Sequence, residues 1–143
     1  MTGPAVQLID EAATVAHGRA FAKRLTAGQI VYLEGALGAG KTTWVKGLLS
    51  GLGYAGVVTS PTFTLVECYT LPQLTLCHFD LYRLQDPQEL EMIGFRDYLS
   101  PTALCCIEWP QRGVGALPRA DWVLEFRHHE QGGRTLCCSR QKV

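Results

Sequence analysis

Apolar residues recur along this chain in two rhythms, and the changes of rhythm mark the elements. Over residues 10–25 the spacing is helical, with Val15, Ala22 and Leu25 on one face and Asp10 placed to cap the start. Residues 29–35 (QIVYLEG) are short, apolar and β-branched, the composition of a buried strand. Residues 42–50 return to helical spacing through Val45, Leu48, Leu49 and Leu52, and Gly51 and Gly53 end that helix. Residues 57–66 are rich in hydroxyls and contain Pro61, which predicts a polar loop feeding a strand that runs to Tyr69. Leu71-Pro72-Gln73 predicts a turn, and residues 74–81 the returning strand of a hairpin. Asp86-Pro87-Gln88-Glu89 supplies a cap, a proline at the first helical position and a glutamate three residues on. The apolar Leu90, Ile93, Phe95, Tyr98 and Leu99 follow, split by Gly94 into two short helices. Residues 103–109 predict another buried strand, and residues 121–127 alternate, with Trp122, Leu124 and Phe126 on one face. Gln131-Gly132-Gly133 predicts a turn, and residues 134–139 a last strand. Helices and strands in this order predict a three-layer α/β domain with a mixed sheet.

Composition narrows the picture. A chain of 143 residues that is 47% hydrophobic and 18% charged is one domain of ordinary globular profile. No apolar run approaches the roughly 20 residues that span a bilayer. The first fifteen residues, MTGPAVQLIDEAATV, lack the basic start and long apolar stretch of a signal peptide. A cytoplasmic location is expected, with no membrane partner. Thirteen basic residues balance thirteen acidic ones. A protein that grips RNA through phosphates carries a basic surplus, so any role in nucleic-acid metabolism is expected to run through other proteins. The six cysteines, Cys68, Cys77, Cys105, Cys106, Cys137 and Cys138, form no C-x-x-C unit. Neighbours on a strand point to opposite faces, so neither adjacent pair makes half of a zinc site, and the same holds for His128 and His129. They are expected to be reduced, small core residues.

The chemistry lies in residues 35–42, Gly35-Ala36-Leu37-Gly38-Ala39-Gly40-Lys41-Thr42, a complete G-x-x-x-x-G-K-[ST] loop between an expected strand and an expected helix. Such a loop turns successive N–H groups of Gly38, Ala39, Gly40, Lys41, Thr42 and Thr43 toward phosphate oxygens, at a helix N-terminus that favours an anion. Lys41 brings a positive charge to the β- and γ-phosphates, and the Thr42 hydroxyl can coordinate Mg²⁺. The expected ligand is a nucleoside triphosphate. An acidic partner for the metal belongs at the end of an apolar strand, and Leu104-Cys105-Cys106-Ile107-Glu108 has that form, which makes Glu108 the candidate beside Thr42. Asp80, in Cys77-His78-Phe79-Asp80, could orient the attacking water, accept its proton, or bind magnesium through water. The lesser reading is an aspartate that caps a turn. Lys41, Asp80 and Glu108 are thus the candidate catalytic residues. In Thr59-Ser60-Pro61-Thr62, Thr62 is the first choice for a γ-phosphate sensor and Ser60 the second, against the plainer reading of a hydroxyl turn before a strand. No Asp-x-x-Gly follows the apolar strands and no Asn-Lys-x-Asp occurs, so a small GTPase is excluded.

Taken together, LEGALGAGKTT, TSPTFTLVECY, HFDLYRL and IEWPQ, in this order and spacing, resemble the bacterial TsaE (YjeE) family of P-loop ATPases. The resemblance covers essentially the whole chain and is strongest over residues 33–109. It implies a single P-loop NTPase-like domain over residues 1–143, ATP rather than GTP, Mg²⁺, and weak intrinsic hydrolysis. It implies action on the TsaD–TsaB pair in making threonylcarbamoyladenosine at position 37 of tRNA, with tRNA met only through that complex. It further implies that Thr42 and Glu108 hold Mg²⁺, that Lys41 holds phosphate, that Asp80 matters for turnover, and that nucleotide approaches Glu11 and Gly132. The second loop position, often Asp in the family, is Ala36 here. The loop works through backbone amides, so ATP binding is expected to survive. Two other functions fit the same scaffold: a small-molecule kinase, and a non-hydrolysing nucleotide-dependent scaffold protein. A kinase needs an acceptor pocket, and no arginine cluster that would build one is evident.

Overall fold

The computed structural model describes residues 2–61 and 64–141. Seven strands form one sheet: β1 (Thr2–Leu8), β2 (Ile30–Glu34), β3 (Val66–Thr70), β4 (Thr75–Asp80), β5 (Ala103–Glu108), β6 (Trp122–His128) and β7 (Arg134–Arg140). Their spatial order is β1-β7-β6-β2-β5-β4-β3. The four central strands β6, β2, β5 and β4 run parallel, and the three outer pairings are antiparallel. The mixed three-layer α/β arrangement expected from the pattern is therefore present, with the β3–β4 hairpin at one edge.

Helices α1 (Glu11–Phe21) and α2 (Lys41–Gly51) cover one face. There Phe21, Trp44, Val45, Leu48 and Leu49 pack on Val31, Leu33, Leu104, Trp122, Leu124 and Phe126. The two helices approach through glycine. A Cβ at Gly47 would lie 2.0 Å from the Val15 carbonyl oxygen, and one at Gly18 would lie 2.2 Å from that of Trp44. Asp10 caps α1 as expected, accepting from Ala13 N–H at 2.8 Å. The buried positions are Thr14, Gly18 and Phe21, followed by Ala22 and Leu25, whereas Val15 is only half-buried. The expected α-helix over residues 10–25 in fact changes to a 3-10 turn at Ala22–Arg24, which shifts the phase of its inner face.

The opposite face carries a second core of Phe79, Leu81, Leu84, Leu90, Phe95 and Ile107 under two one-turn helices, α3 (Glu89–Met92) and α4 (Phe95–Tyr98). The reciprocal bonds expected at Asp86 are made, Glu89 Oε2 accepting from Asp86 N–H at 2.8 Å and Asp86 Oδ1 accepting from Gln88 N–H at 2.9 Å, but they close a turn: the helix itself begins only at Glu89, after Pro87 rather than at it. Strand β5, central and buried at every position, divides the layers: Cys105 joins this second core and Cys106 the first. Its regular pairing stops at Glu108, one residue short of the expectation, because Trp109 turns out of the sheet with φ of 57°. Strand β1 lies outside the sequence expectations. All six cysteines are free thiols, and Cys68 and Cys77 face each other across the hairpin with their sulfurs 3.3 Å apart.

Candidate functional site

Strand β2 delivers the chain to the 35–42 loop, and the loop turns directly into α2. Gly40 makes that turn with φ of 100°, a left-handed conformation that a side chain would strain, and it stands as the N-cap of α2. The first turn of α2 thus begins at Lys41 and Thr42, where a helix has N–H groups without intrahelical partners. Ala39 is buried, its N–H donating to the Ala36 carbonyl at 3.1 Å.

Lys41 is folded back. Its ammonium donates to the Gly35 carbonyl and lies 4.4 Å from the centroid of the Trp109 ring. Burial lowers its pKa, while the nearby Glu108 and Asp80 carboxylates push the other way. Trp109 reaches this position through its left-handed backbone and packs against Tyr82, with ring centroids 4.9 Å apart.

Two parallel strands bring the acids together. Strands β4 and β5 are neighbours in a register that sets Asp80 opposite Glu108, at the same end of the sheet as the loop. Both carboxylates are buried. Glu108 Oε2 accepts from the Thr42 hydroxyl at 2.9 Å. The same oxygen meets Nε2 of His78, a fully buried histidine on β4, at 2.6 Å. Asp80 Oδ1 accepts from Tyr82 N–H at 3.0 Å, and its N–H donates to the Leu65 carbonyl at 3.0 Å. Burial holds the Asp80 carboxyl above its ordinary value; the Tyr82 N–H opposes this, Glu108 adds to it, and His78 and Lys41 oppose it. A hydroxyl and a carboxylate side by side are hard oxygen donors of the kind Mg²⁺ prefers, so this pair fits that ion. The loop and helix-start amides other than that of Ala39, whose N–H is expected for phosphate but is bonded to Ala36 here, fit the phosphates of ATP together with Lys41.

On the other side of the loop a cavity of about 280 Å³ is lined by Asp10, Glu11, Thr14, Gly38, Gly40, Thr43, Gly133 and Arg134. Arg134 borders it and ties β7 to the loop, donating to the Gly38 carbonyl at 2.6 Å and to the Gly133 carbonyl at 3.0 Å. Glu11, which the resemblance implied, and Thr43 of the loop both line this cavity. Gly132 stands at the tip of the turn, and its neighbour Gly133 is the residue that lines the cavity. Thr62 lies outside the described residues, and Ser60 is exposed in the segment leading to it. That segment is anchored by Tyr69, whose hydroxyl accepts from Thr59 N–H at 3.2 Å and donates to the Thr59 carbonyl at 3.1 Å. A larger cavity of about 440 Å³, lined by Tyr32, Glu34 and Arg119 among others, holds none of the loop residues.

His78, Trp109 and Arg134 are the members of this constellation that the sequence did not single out. The alternation of HFDLYR places His78 on the face of Asp80, which is the one signal that pointed toward it.

A mixed α/β sheet with a glycine-rich loop at the N-terminus of a helix, and a strand-end acid on the loop threonine, defines a P-loop NTPase-like domain. The chain belongs to the TsaE family: residues 8–136 match the family described as threonylcarbamoyl adenosine biosynthesis protein TsaE. It is 50% identical over 101 residues to the tRNA threonylcarbamoyladenosine biosynthesis protein TsaE of Haemophilus influenzae, a match spanning 71% of this chain and 64% of that protein. It is 40% identical over 123 residues to the protein of the same name from Treponema pallidum, spanning 86% of this chain and 90% of that one. Among solved structures it is similar to YdiB of Bacillus subtilis, with a TM-score of 0.82 and 27% identity over 98% of this chain and 87% of that one.

Proposed function

We propose that this protein binds and slowly hydrolyses ATP with Mg²⁺, and that it thereby supports formation of tRNA N6-threonylcarbamoyladenosine at position 37 through a TsaD–TsaB complex. The observation that carries the reading is the contact of Thr42 with Glu108 at the mouth of the loop, with Lys41 and Asp80 beside it. Family membership supports the pathway, and the names of the relatives support tRNA as the eventual target. Zero net charge supports contact with tRNA through partner proteins rather than directly.

In this reading the loop amides and the α2 N-terminus bind the phosphates. Lys41 exchanges its Gly35 contact for the β- and γ-phosphate oxygens. Thr42 and Glu108 hold Mg²⁺, which when bound screens phosphate charge and orients the γ-phosphate. Asp80 orients the attacking water. Burial that raises its pKa makes the Asp80 carboxylate a better proton acceptor than an exposed aspartate. No helix among the described residues is long and apolar enough to cross a membrane.

Steady-state phosphate release, with and without the TsaD–TsaB pair, tests the proposal. Slow release that the pair accelerates is expected. Release that requires a small phosphoryl acceptor would point to a kinase, and ATP binding without release under any condition would point to a scaffold.

A further inference from the structure

Histidine 78 does something to Glu108 that a merely structural histidine would not. It is fully buried in β4 and brings Nε2 to 2.6 Å from Glu108 Oε2. Its other ring nitrogen, Nδ1, is buried with no hydrogen-bond partner among the described residues. Buried polar groups are nearly always satisfied, so an imidazole kept for packing alone would be expected to use both nitrogens or be replaced by an apolar side chain. Among the described residues this ring makes a single hydrogen bond, and it makes it to the carboxylate at the mouth of the loop.

The geometry explains the choice. In the parallel β4–β5 register Asp80 lies opposite Glu108, and His78 lies opposite Cys106, one inward-facing position deeper. From there the imidazole reaches up beneath the Glu108 side chain while Asp80 stays level with it. Both polar contacts of the Glu108 side chain among the described residues, with the Thr42 hydroxyl at 2.9 Å and with His78 at 2.6 Å, fall on Oε2, so neither engages the second carboxylate oxygen. A glutamate has enough free torsions to swing away from a metal site unless something fixes it, and carboxylate ligands are generally held by such outer contacts.

We propose that His78 is a positioning residue that locks Glu108 in the rotamer presenting its carboxylate to a divalent cation bound at Thr42. The proposal rests on the reading that Thr42 and Glu108 hold Mg²⁺. The Nε2–H tautomer donates to Glu108 and fixes one oxygen, and the carboxylate then meets the ion without first having to be ordered.

The test uses two substitutions in the full chain. His78→Gln places an amide nitrogen near the position of Nε2, whereas His78→Asn places it near Nδ1 and loses Glu108. Affinity for a fluorescent ADP analogue is measured across Mg²⁺ concentrations and in EDTA, together with thermal stability. His78→Asn is expected to raise the Mg²⁺ concentration for half-maximal effect by about 10-fold or more, and His78→Gln to stay within about threefold of the parent, the scale set by outer contacts of metal ligands. Affinity in EDTA should be unchanged in both. A parent-like Mg²⁺ dependence in folded His78→Asn overturns the proposal, as does an equal loss in EDTA. A parent protein indifferent to Mg²⁺ overturns the magnesium reading itself, a different and recognisable result. If His78→Asn does not fold, ¹⁵N-histidine NMR of the parent decides. A slowly exchanging Nε2 proton that shifts in Glu108→Gln is expected, and an Nδ1–H tautomer with bare Nε2 overturns the assignment.

Discussion

Replacing Gly47 with alanine sets two effects of known size against each other. In a helix interior, alanine is favoured over glycine by about 1 kcal/mol, so on α2 taken alone the substitution would stabilise. At the crossing with α1, however, the new Cβ would lie 2.0 Å from the Val15 carbonyl oxygen and 2.8 Å from its carbon, where ordinary contact is 3.4–4 Å. Both atoms are backbone, so no rotamer change relieves the overlap and the helices must part by more than 1 Å. That separation loosens the buried stripe of Trp44, Val45, Leu48 and Leu49. Overpacking of this kind costs roughly 1–3 kcal/mol and occasionally more, and rigid backbone on one side places this site at the upper end. The net expectation is a loss of about 2 kcal/mol, read as a fall of about 1 M in the urea midpoint. Gly18→Ala, which would meet the Trp44 carbonyl oxygen at 2.2 Å, should behave alike. The double mutant should lose less than the sum, because one parting of the helices relieves both clashes. Equal or greater stability in Gly47→Ala, measured by urea denaturation, would refute the argument from close packing.

Three other outcomes are expected. Lys41→Ala should weaken ATP binding by about 10- to 150-fold, the equivalent of roughly 1.5–3 kcal/mol for a charge-assisted contact, and unchanged affinity by calorimetry would remove Lys41 from the site. Asp80→Asn should keep ATP affinity but slow hydrolysis by about 10²-fold. Because the folded carboxyl lies above its ordinary value of 3.8, the contribution of Asp80 to stability is present below that pH and lost as pH rises through the folded value. The melting temperature of Asp80→Asn minus that of the parent should therefore climb over this window, and a flat or falling difference would contradict it. Thiol titration of the denatured protein should count six, while in the native protein only Cys68 is exposed. Although the residue is exposed, its sulfur is partly desolvated against the Cys77 sulfur, which pushes the Cys68 thiol up to about 12, so its labelling at neutral pH should be slow and should accelerate with alkali; fast neutral labelling would contradict this.

Local patterns gave the elements their types, and long-range pairing decided what lay beyond them. The phosphate loop, the Glu89 bond back to Asp86 and the alternation of Trp122, Leu124 and Phe126 are short-range signals, and each appears in the structure, although the helix after Asp86 starts two residues later than the signal placed it. Strand β1 is an edge strand whose sequence, TGPAVQL, contains Pro4 and an irregularity between Thr2 and Ala5, features tolerated only at an edge. Its pairing with β7 spans nearly the whole chain and leaves no local trace. The meeting of Thr42 with Glu108 followed from what a phosphate loop requires. The meeting of His78 with Glu108 did not, since it depends on β4 lying beside β5 in one particular register. Trp109 reached Lys41 only because its backbone turns left-handed at the strand end, a conformation that its residue type disfavours.

The order of strands has a consequence for how the molecule is made. Residues 11–51 hold both long helices and their glycine crossing, so this unit can pack as soon as it leaves the ribosome. Strand β2 is made with it, yet its two partners, β5 and β6, come much later, and Val31 must wait for Cys106 on one side and Trp122 on the other. In the interval a buried, apolar strand stands with both edges unpaired, the state that invites wrong pairing and the attention of chaperones. The phosphate loop is synthesised early, whereas Glu108 takes its place only when β5 inserts between β2 and β4. Ribosome-bound chains stalled before residue 103 are therefore expected to be cut freely by protease along β2 and to gain no protection from ATP. Completion of β5 and β6 would make the nascent chain compact and, if the proposed function holds, able to gain protection from ATP.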